Sequence, residues 1–142
     1  MKKREVIQQK FNKGAFLEPA KLANSSLDEK IILKAKSVIE ANIADPEFSV
    51  KMLCDELGMT NSTLYRKMKG ILNMMPNEFV RNIRLRRAAQ LLEDTAFDIA
   101  EAAYNTGFND PSYFSACFKK QYGVTPSAYQ KGERSQADLK LE

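Results

Sequence analysis

The side chains with the strongest chemical character in this chain are its lysines and arginines, and they are unevenly distributed. Seven basic residues lie between Arg66 and Arg87 against a single acid, Glu78, and three lysines but no acid lie between Pro111 and Gly132. Such stretches are either solvated helix faces or surfaces that face the phosphates of a nucleic acid. The net charge of +4 and the pI near 9.0 do not separate these two interpretations.

The residues on which most enzymes and metal sites depend are scarce. Histidine is absent, which removes the commonest general base and the commonest metal ligand. Cys54 and Cys117 lie far apart, and each falls inside an apolar helical pattern, where the expected role is that of a small buried hydrophobe. The six glycines form no phosphate-binding cluster. We therefore expect no enzymatic activity, no metal site and no cofactor.

The chain carries no apolar segment of the length that crosses a membrane. No apolar run approaches the length of about 20 residues that spans a bilayer. The N-terminal sequence MKKREVIQQKF is basic, but no apolar stretch follows it, so it is not typical of a signal peptide. A cytoplasmic location is the resulting expectation.

A sequence that begins at Phe48, FSVKMLCDELGMTNSTLYRKMKG, recurs 49 residues later as FDIAEAAYNTGFNDPSYFSACFKK. In each copy a capping residue, Ser49 or Asp98, precedes an apolar helical face, and a glycine, Gly58 or Gly107, ends it. A second helix follows after a link of about three residues, too short for a full reversal, which predicts a helix-turn-helix. The predicted core positions are Val50, Leu53, Cys54, Leu57, Leu64 and Met68 in the first copy, and Ile99, Ala102, Ala103, Thr106, Phe114 and Phe118 in the second.

A longer helix, introduced by Pro76, connects the two copies. With about 17 residues it would span about 25 Å, and with the width of the two units it can bridge the distance of about 34 Å between successive major-groove faces of B-DNA. The predicted fold is all-α, with two helix-turn-helix subdomains joined by a long connecting helix. The predicted segments are a lead-in at 1–25, the first subdomain with the connecting helix at 26–93, the second subdomain at 94–130 and a polar tail at 131–142.

A helix-turn-helix unit places its second helix in the major groove, so the face opposite the core should meet the bases. In the first copy that face carries Asn61, Ser62, Tyr65 and Arg66. Arg66 is the strongest candidate because arginine can pair two donors with guanine; a phosphate contact is its alternative. Tyr65 could instead pack on a sugar or a thymine methyl group.

The corresponding face of the second copy carries mainly short side chains at Pro111, Ser112, Ser115 and Ala116. We expect weaker direct base readout here, with Ser112 and Ser115 as the candidates, and more recognition through the backbone and the shape of the DNA. Asp110 is expected to cap the helix. Phosphate contacts are expected from Lys67, Lys69, Arg81, Arg84, Lys119 and Lys120, and Arg86 and Arg87 are either further phosphate contacts or solvated surface.

The second copy, DIAEAAYNTGFNDPSYFSACFKKQYGVTPSAY, resembles the C-terminal signature of AraC/XylS-type transcriptional regulators, and IRLRRAAQLL is similar to the connecting helix of that family. The resemblance covers Leu27 to Tyr129. Carried over, the base-reading positions of the family fall on Ser62, Tyr65 and Arg66, whereas Ala116 stands where many members have a long polar or basic residue. The chain also resembles the output domain of bacterial hybrid two-component regulators, which implies receiver and kinase domains in the full-length protein.

The function implied is sequence-specific binding of double-stranded DNA and regulation of transcription, with no membrane contact by this domain and with RNA polymerase as a possible further partner. The alternative is a helical protein–protein docking domain whose basic surface meets anionic partners. A steep salt dependence combined with a sequence preference is expected only of the DNA-binding domain. An RNA reader is not favoured, because packing is the expected role of Tyr113 and Tyr129 and no aromatic sheet surface is expected.

Overall fold

The computed structural model describes residues 26–132. Within that range it contains seven helices and no strand, which confirms the prediction of an all-α fold. The predicted lead-in at 1–25 lies outside the described residues, as does the predicted tail except for 131–132. The helices are α1 (Ser26–Ala41), α2 (Val50–Leu57), α3 (Asn61–Leu72), α4 (Pro76–Leu92), α5 (Ile99–Asn105), α6 (Pro111–Tyr122) and α7 (Pro126–Gln130).

The first helix-turn-helix unit, α2 with α3, is held by local caps. The Ser49 hydroxyl accepts a hydrogen bond from the Met52 amide at 3.3 Å, which satisfies one of the free N–H groups that begin α2. Gly58 ends α2 with φ at 67°, in the left-handed region that glycine adopts without steric cost. The Thr60 hydroxyl then accepts from the Thr63 amide at 3.2 Å and starts α3. The short turn between these caps prevents the two helices from lying antiparallel.

The second unit, α5 with α6, begins with a capping box around Asp98, the predicted capping residue. The Asp98 carboxylate accepts from the Glu101 amide at 2.7 Å, and the Glu101 carboxylate accepts from the Asp98 amide at 3.1 Å. Asp110 accepts from the Ser112 amide at 2.9 Å, which confirms that it caps α6. Pro111 occupies the first position of α6, where its missing N–H has no partner to lose.

The capping box makes a testable contribution to stability. Replacing Asp98 by alanine leaves the Glu101 amide in the first turn of α5 without its acceptor, so we expect the free energy of unfolding to fall by about 1 kcal/mol. Chemical denaturation followed by circular dichroism measures this change. Glu56→Ala, which removes an exposed acid from the body of α2, is the matched control and should have a smaller effect. Equal losses in the two variants would contradict the role of the box.

The hydrophobic core consists of two clusters, and α4 contributes to both. Its first half places Phe79, Val80 and Ile83 in the first cluster, and its second half places Leu85 and three further residues in the second. Helices α1, α2 and α3 complete the first cluster; α5, α6 and α7 complete the second. Each unit therefore folds around its own core, and α4 is the element that both cores share.

The repeat predicted the central core side chains of both clusters. Leu64 and Met68 of α3, and Phe114 and Phe118 of α6, are all fully buried. Cys54 is buried as expected, whereas Cys117 is only half-buried at the edge of the second cluster. None of the helices within 26–132 is long and apolar enough to cross a membrane.

Candidate nucleic-acid interface

Helix α3 presents a polar face on the side opposite its buried leucine and methionine side chains. Ser62, Tyr65 and Arg66 are exposed, and 45% of the Tyr65 side chain remains accessible although it is a large aromatic group. Two donors of Arg66 and the hydroxyl of Ser62 can therefore reach an external surface without a rearrangement of the core. The structure places these three predicted residues on one face of one helix; their contact with bases stays a prediction.

Asn61, the fourth residue predicted for this face, is oriented by the neighbouring helix. The Cys54 thiol donates to the Asn61 side-chain oxygen, with the two atoms 3.0 Å apart. Burial, with a smaller contribution from the Asp55 carboxylate, raises the pKa of the Cys54 thiol, which keeps it protonated and able to donate at neutral pH. The thiol occupies one of the two acceptor positions of the Asn61 oxygen, and the Nδ2 group of Asn61 can act as a donor to a base.

Helix α6, like α3, has a buried side and an exposed side, but its exposed side carries shorter side chains. Ser112 and Ala116 are exposed and Ser115 is half-buried, on the side away from Phe114 and Phe118. Tyr113 lies at the edge of this surface with 53% of its side chain exposed, and its ring centroid is 6.3 Å from that of Phe108. The exposed part of α6 can therefore approach a partner closely with its backbone, but it offers few long hydrogen-bonding groups.

Charge differs between the first and the second helix of each unit. Helix α3 contains three basic residues and no acidic residue, and α6 contains two basic residues and no acidic residue. Helix α2 contains two acidic residues and one basic residue, and α5 contains one acidic and no basic residue. Within each helix-turn-helix unit the positive charge therefore lies on the second helix, which carries the exposed polar face, as an electrostatic surface for phosphate requires.

The cations predicted to contact phosphate lie in different environments. Lys69 is exposed in the last turn of α3, and Lys119 and Lys120 are exposed in the last turn of α6. Lys67 is half-buried, as is Arg81, which lines a cleft between α4 and α6. These five side chains can still reach a phosphate, because the charged ends of long side chains extend to solvent while their stems pack.

Arg84 is a correction to the predicted phosphate contacts. Its side chain is only 6% exposed, and the guanidinium donates three hydrogen bonds to main-chain carbonyl oxygens of the described structure. Burial lowers the pKa of Arg84, and the Asp45 carboxylate partly offsets this by raising it. A guanidinium held in the interior in this way is not available to DNA, so the prediction for Arg84 was wrong.

Two polar residues of the interior were missed by sequence reasoning. Besides Arg84, Gln121 of α6 is buried, and its Nε2 atom has no hydrogen-bond partner within the described part of the chain. Gln121 lines the cleft between α4 and α6 near Arg81. In the sequence it occupies the position before the buried Tyr122, where helical periodicity alone signals burial but not what the amide would contact. The burial of Arg84 was harder still to predict from the sequence, since Arg84 lies among other arginines.

Known sequences resemble most of this chain. A family model described as a helix-turn-helix domain matches residues 53–132, more than half of the chain. Histidine kinase P4 of Formosa agariphila is 41% identical over 130 residues, which cover 92% of this chain and 10% of that protein. The HTH-type transcriptional activator RhaS of Mannheimia succiniciproducens is 35% identical over 85 residues, covering 60% of this chain and 32% of that protein. The chain thus spans a small part of these relatives.

Solved structures share the fold. A transcriptional regulator with an AraC-type DNA-binding domain from Chromobacterium violaceum has a TM-score of 0.69 and 28% identity, covering 79% of this chain and 98% of that one. The C-terminal domain of AraT, a response regulator from Geobacillus stearothermophilus, has a TM-score of 0.65 and 27% identity, covering 75% and 88%. The matched family, its named relatives and the two-unit fold agree with the resemblance found in the sequence, so the chain belongs to the AraC-type family of helix-turn-helix DNA-binding domains.

Proposed function

We propose that this chain regulates transcription by binding a bipartite site on double-stranded DNA, with α3 reading one half and α6 the other. The observation that carries the proposal is the pairing of two helices, each exposed on a polar face free of acids, on the single connecting helix α4. The 17 residues of α4 correspond to a length of about 25 Å. Together with the width of the two units, this suits successive major grooves on one side of a duplex.

Affinity would come mainly from the lysines at the ends of the reading helices. Lys69, Lys119 and Lys120 are exposed where α3 and α6 end. Each lysine that neutralises a phosphate releases condensed counterions, which favours binding and makes it dependent on salt. Arg81 and Lys67 would add to this surface from their half-buried positions. The resulting attraction is independent of sequence and orients the two units on the duplex.

The two units would contribute unequally to the DNA-sequence specificity of binding. Arg66 and Tyr65 supply long side chains in the first unit, with Ser62 and Asn61 beside them. In the second unit, Ser112 and Ser115 are the polar candidates, and they can reach only groups near the helix axis. We therefore propose that the first half-site is read by direct hydrogen bonds and the second more through groove shape and backbone contacts.

The full-length protein is proposed to be a signal-responsive bacterial regulator. This chain is 41% identical to a region of Histidine kinase P4 that makes up 10% of that protein, and a structural neighbour is the C-terminal domain of the response regulator AraT. Both support an output domain joined to receiver and kinase domains. RNA polymerase is proposed as a further partner, supported by the name of the relative RhaS as a transcriptional activator. The docking-domain alternative is not favoured, because the chain belongs to a family of DNA-binding domains.

Selection from a pool of random duplexes tests this function. We expect the chain to enrich a motif in two parts, separated by about one helical turn of DNA. A stronger consensus is expected in the half read by α3 than in the half read by α6. Weak, salt-sensitive binding to all duplexes without any enriched motif would contradict the proposal and support a basic docking surface instead.

The salt dependence of binding tests the phosphate contacts separately. Replacing both Lys119 and Lys120 by alanine should reduce the slope of log K against log salt by about 2, because each phosphate contact contributes about 0.9. Fluorescence anisotropy with a labelled duplex at several salt concentrations measures the slope. The double variant Lys30→Ala/Lys34→Ala is the matched control, since it removes the same charge from exposed positions on α1. If both variants change the slope equally, the effect is one of net charge and not of contact.

A further inference from the structure

Arg84 lies at the point of α4 where the two hydrophobic clusters meet. Its neighbour Ile83 belongs to the first cluster, and its other neighbour Leu85 belongs to the second. The Arg84 side chain is itself 6% exposed. A buried guanidinium is unfavourable unless its donors are hydrogen-bonded, so its partners explain why the position is basic.

The guanidinium of Arg84 joins main-chain groups from the two halves of the fold. Nη1 donates to the Ile43 carbonyl oxygen at 3.3 Å and to the Thr106 carbonyl oxygen at 3.0 Å, and Nη2 donates to the Asp45 carbonyl oxygen at 3.0 Å. Ile43 and Asp45 follow α1 in the first half of the fold, whereas Thr106 follows α5 in the turn of the second unit. We call these three hydrogen bonds the Arg84 bridge. Because a guanidinium is planar and its donors have fixed directions, the bridge restrains orientation as well as distance.

Gly107 makes the Arg84 bridge sterically possible. A Cβ atom at this position would overlap Nη1 of Arg84 and would lie 2.7 Å from the Ile43 carbonyl oxygen. Gly58, the corresponding residue of the first unit, also has a positive φ, but a Cβ there would have nothing within 4 Å. The two glycines of the repeat therefore differ in role: Gly58 ends a helix, whereas Gly107 also brings the second turn against the first half of the fold.

The Arg84 bridge connects the two halves of the fold in addition to the packing of helices on α4. The principal helix-to-helix contacts in the described residues lie either within one cluster or between α4 and another helix. The Arg84 bridge adds a connection between two loops that does not depend on the stiffness of α4. Such a connection is suited to holding α3 and α6 at one relative orientation.

We propose that Arg84 is a positioning residue that holds the two reading helices in one relative orientation and thereby sets the half-site spacing that the chain accepts. The part of this inference that concerns DNA rests on the proposed function. Linking two binding elements raises their combined affinity only when the geometry of the link matches the spacing of their two sites. A restrained connection gives a sharp spacing optimum, and a loosened one gives a broad and weaker optimum.

The orientation can be tested without DNA. The native thiols are first removed by Cys54→Ala and Cys117→Ala. Spin labels are then attached through Glu56→Cys on α2 and Tyr104→Cys on α5. Pulsed electron paramagnetic resonance measures the distance between the two labels, and so between the two units. We expect a narrow distance distribution in the otherwise native chain and a broader one with Arg84→Met or Gly107→Ala. Arg87→Met, on the exposed side of α4, and Gly58→Ala are the matched controls and should leave it narrow. An unchanged distribution in both Arg84→Met and Gly107→Ala would overturn the proposal.

The effect on DNA is tested with duplexes whose half-sites are moved apart in steps of one base pair. At the preferred spacing we expect Arg84→Met to lose affinity by about tenfold, a part of the gain that linkage provides. Its affinity for a single half-site should be unchanged, and Arg84→Lys should restore part of the spacing preference. An equal loss on all spacings and on the single half-site, accompanied by a lower melting temperature, would show a merely structural role and overturn the proposal. If the native chain shows no sequence preference, the proposed function fails, while the distance measurement still decides the role of the Arg84 bridge.

Discussion

Replacing Arg66 by alanine should lower the affinity of the chain for its preferred duplex by about fivefold to 150-fold, the discrimination of about 1–3 kcal/mol expected from one bidentate arginine–guanine pair. Arg66 is exposed on α3, on the face opposite the fully buried Leu64 and Met68. The substitution therefore removes a donor pair without opening a cavity. The loss should be confined to the half-site that α3 reads.

Titrations with the selected duplex and with a duplex of unrelated sequence separate base contact from phosphate contact. Arg66→Ala should weaken binding to the selected duplex far more than binding to the unrelated one. Arg87→Ala is the matched control, because Arg87 is an exposed arginine whose guanidinium donates to Gln90 at 3.1 Å within α4. A similar loss on both duplexes would instead assign Arg66 to a phosphate, the alternative that the sequence left open.

Replacing Phe118 by alanine should lower the free energy of unfolding by about 3–5 kcal/mol, the usual cost of removing a fully buried phenylalanine. Phe118 is completely buried at the centre of the second cluster. Its ring centroid lies 4.6 Å from that of Tyr122, 5.3 Å from that of Tyr129 and 5.8 Å from that of Phe114. The cavity would therefore remove contacts with α7 as well as contacts within α6.

Because the two clusters are separate, the effect of Phe118→Ala should be local. Hydrogen exchange should show lost protection in α5, α6 and α7, with α2 and α3 changed much less. Tyr113→Ala is the matched control on the same helix, since more than half of that side chain is exposed and its removal should cost little. Equal loss of protection in both units would show that the chain unfolds as one cooperative body.

The repeat is visible in the sequence, and it predicted most of the helix caps and the exposed polar face of α3. Ser49, Asp98 and Asp110 cap the helices that they were expected to cap. These features are local, because a cap bonds to an amide two or three residues away and an apolar stripe follows the helical period. The face that carries Ser62, Tyr65 and Arg66 was predictable for the same reason. Which of its side chains contact bases stays a prediction.

The roles of individual basic and glycine residues depended on distant parts of the chain. Arg84 resembles Arg81 and Arg87 in sequence, yet its partners at Ile43 and Thr106 lie 41 and 22 residues away. Gly107 likewise matches Gly58 in the repeat, although only Gly107 lies against the guanidinium of Arg84. Helical periodicity specifies which face is buried, but it does not specify which distant backbone groups will meet that face.

The sequence by itself determined two helix-turn-helix units, their caps, their main core positions and the polar faces of α3 and α6, because each of these depends on neighbours along one or two helices. Tertiary structure alone decided that Arg84 lies in the interior between the units while Lys119 and Lys120 remain exposed. The physical reason is that a guanidinium can be buried only where acceptors converge on its donors, and here the acceptors are three main-chain oxygens. That convergence exists only once both units have packed on α4.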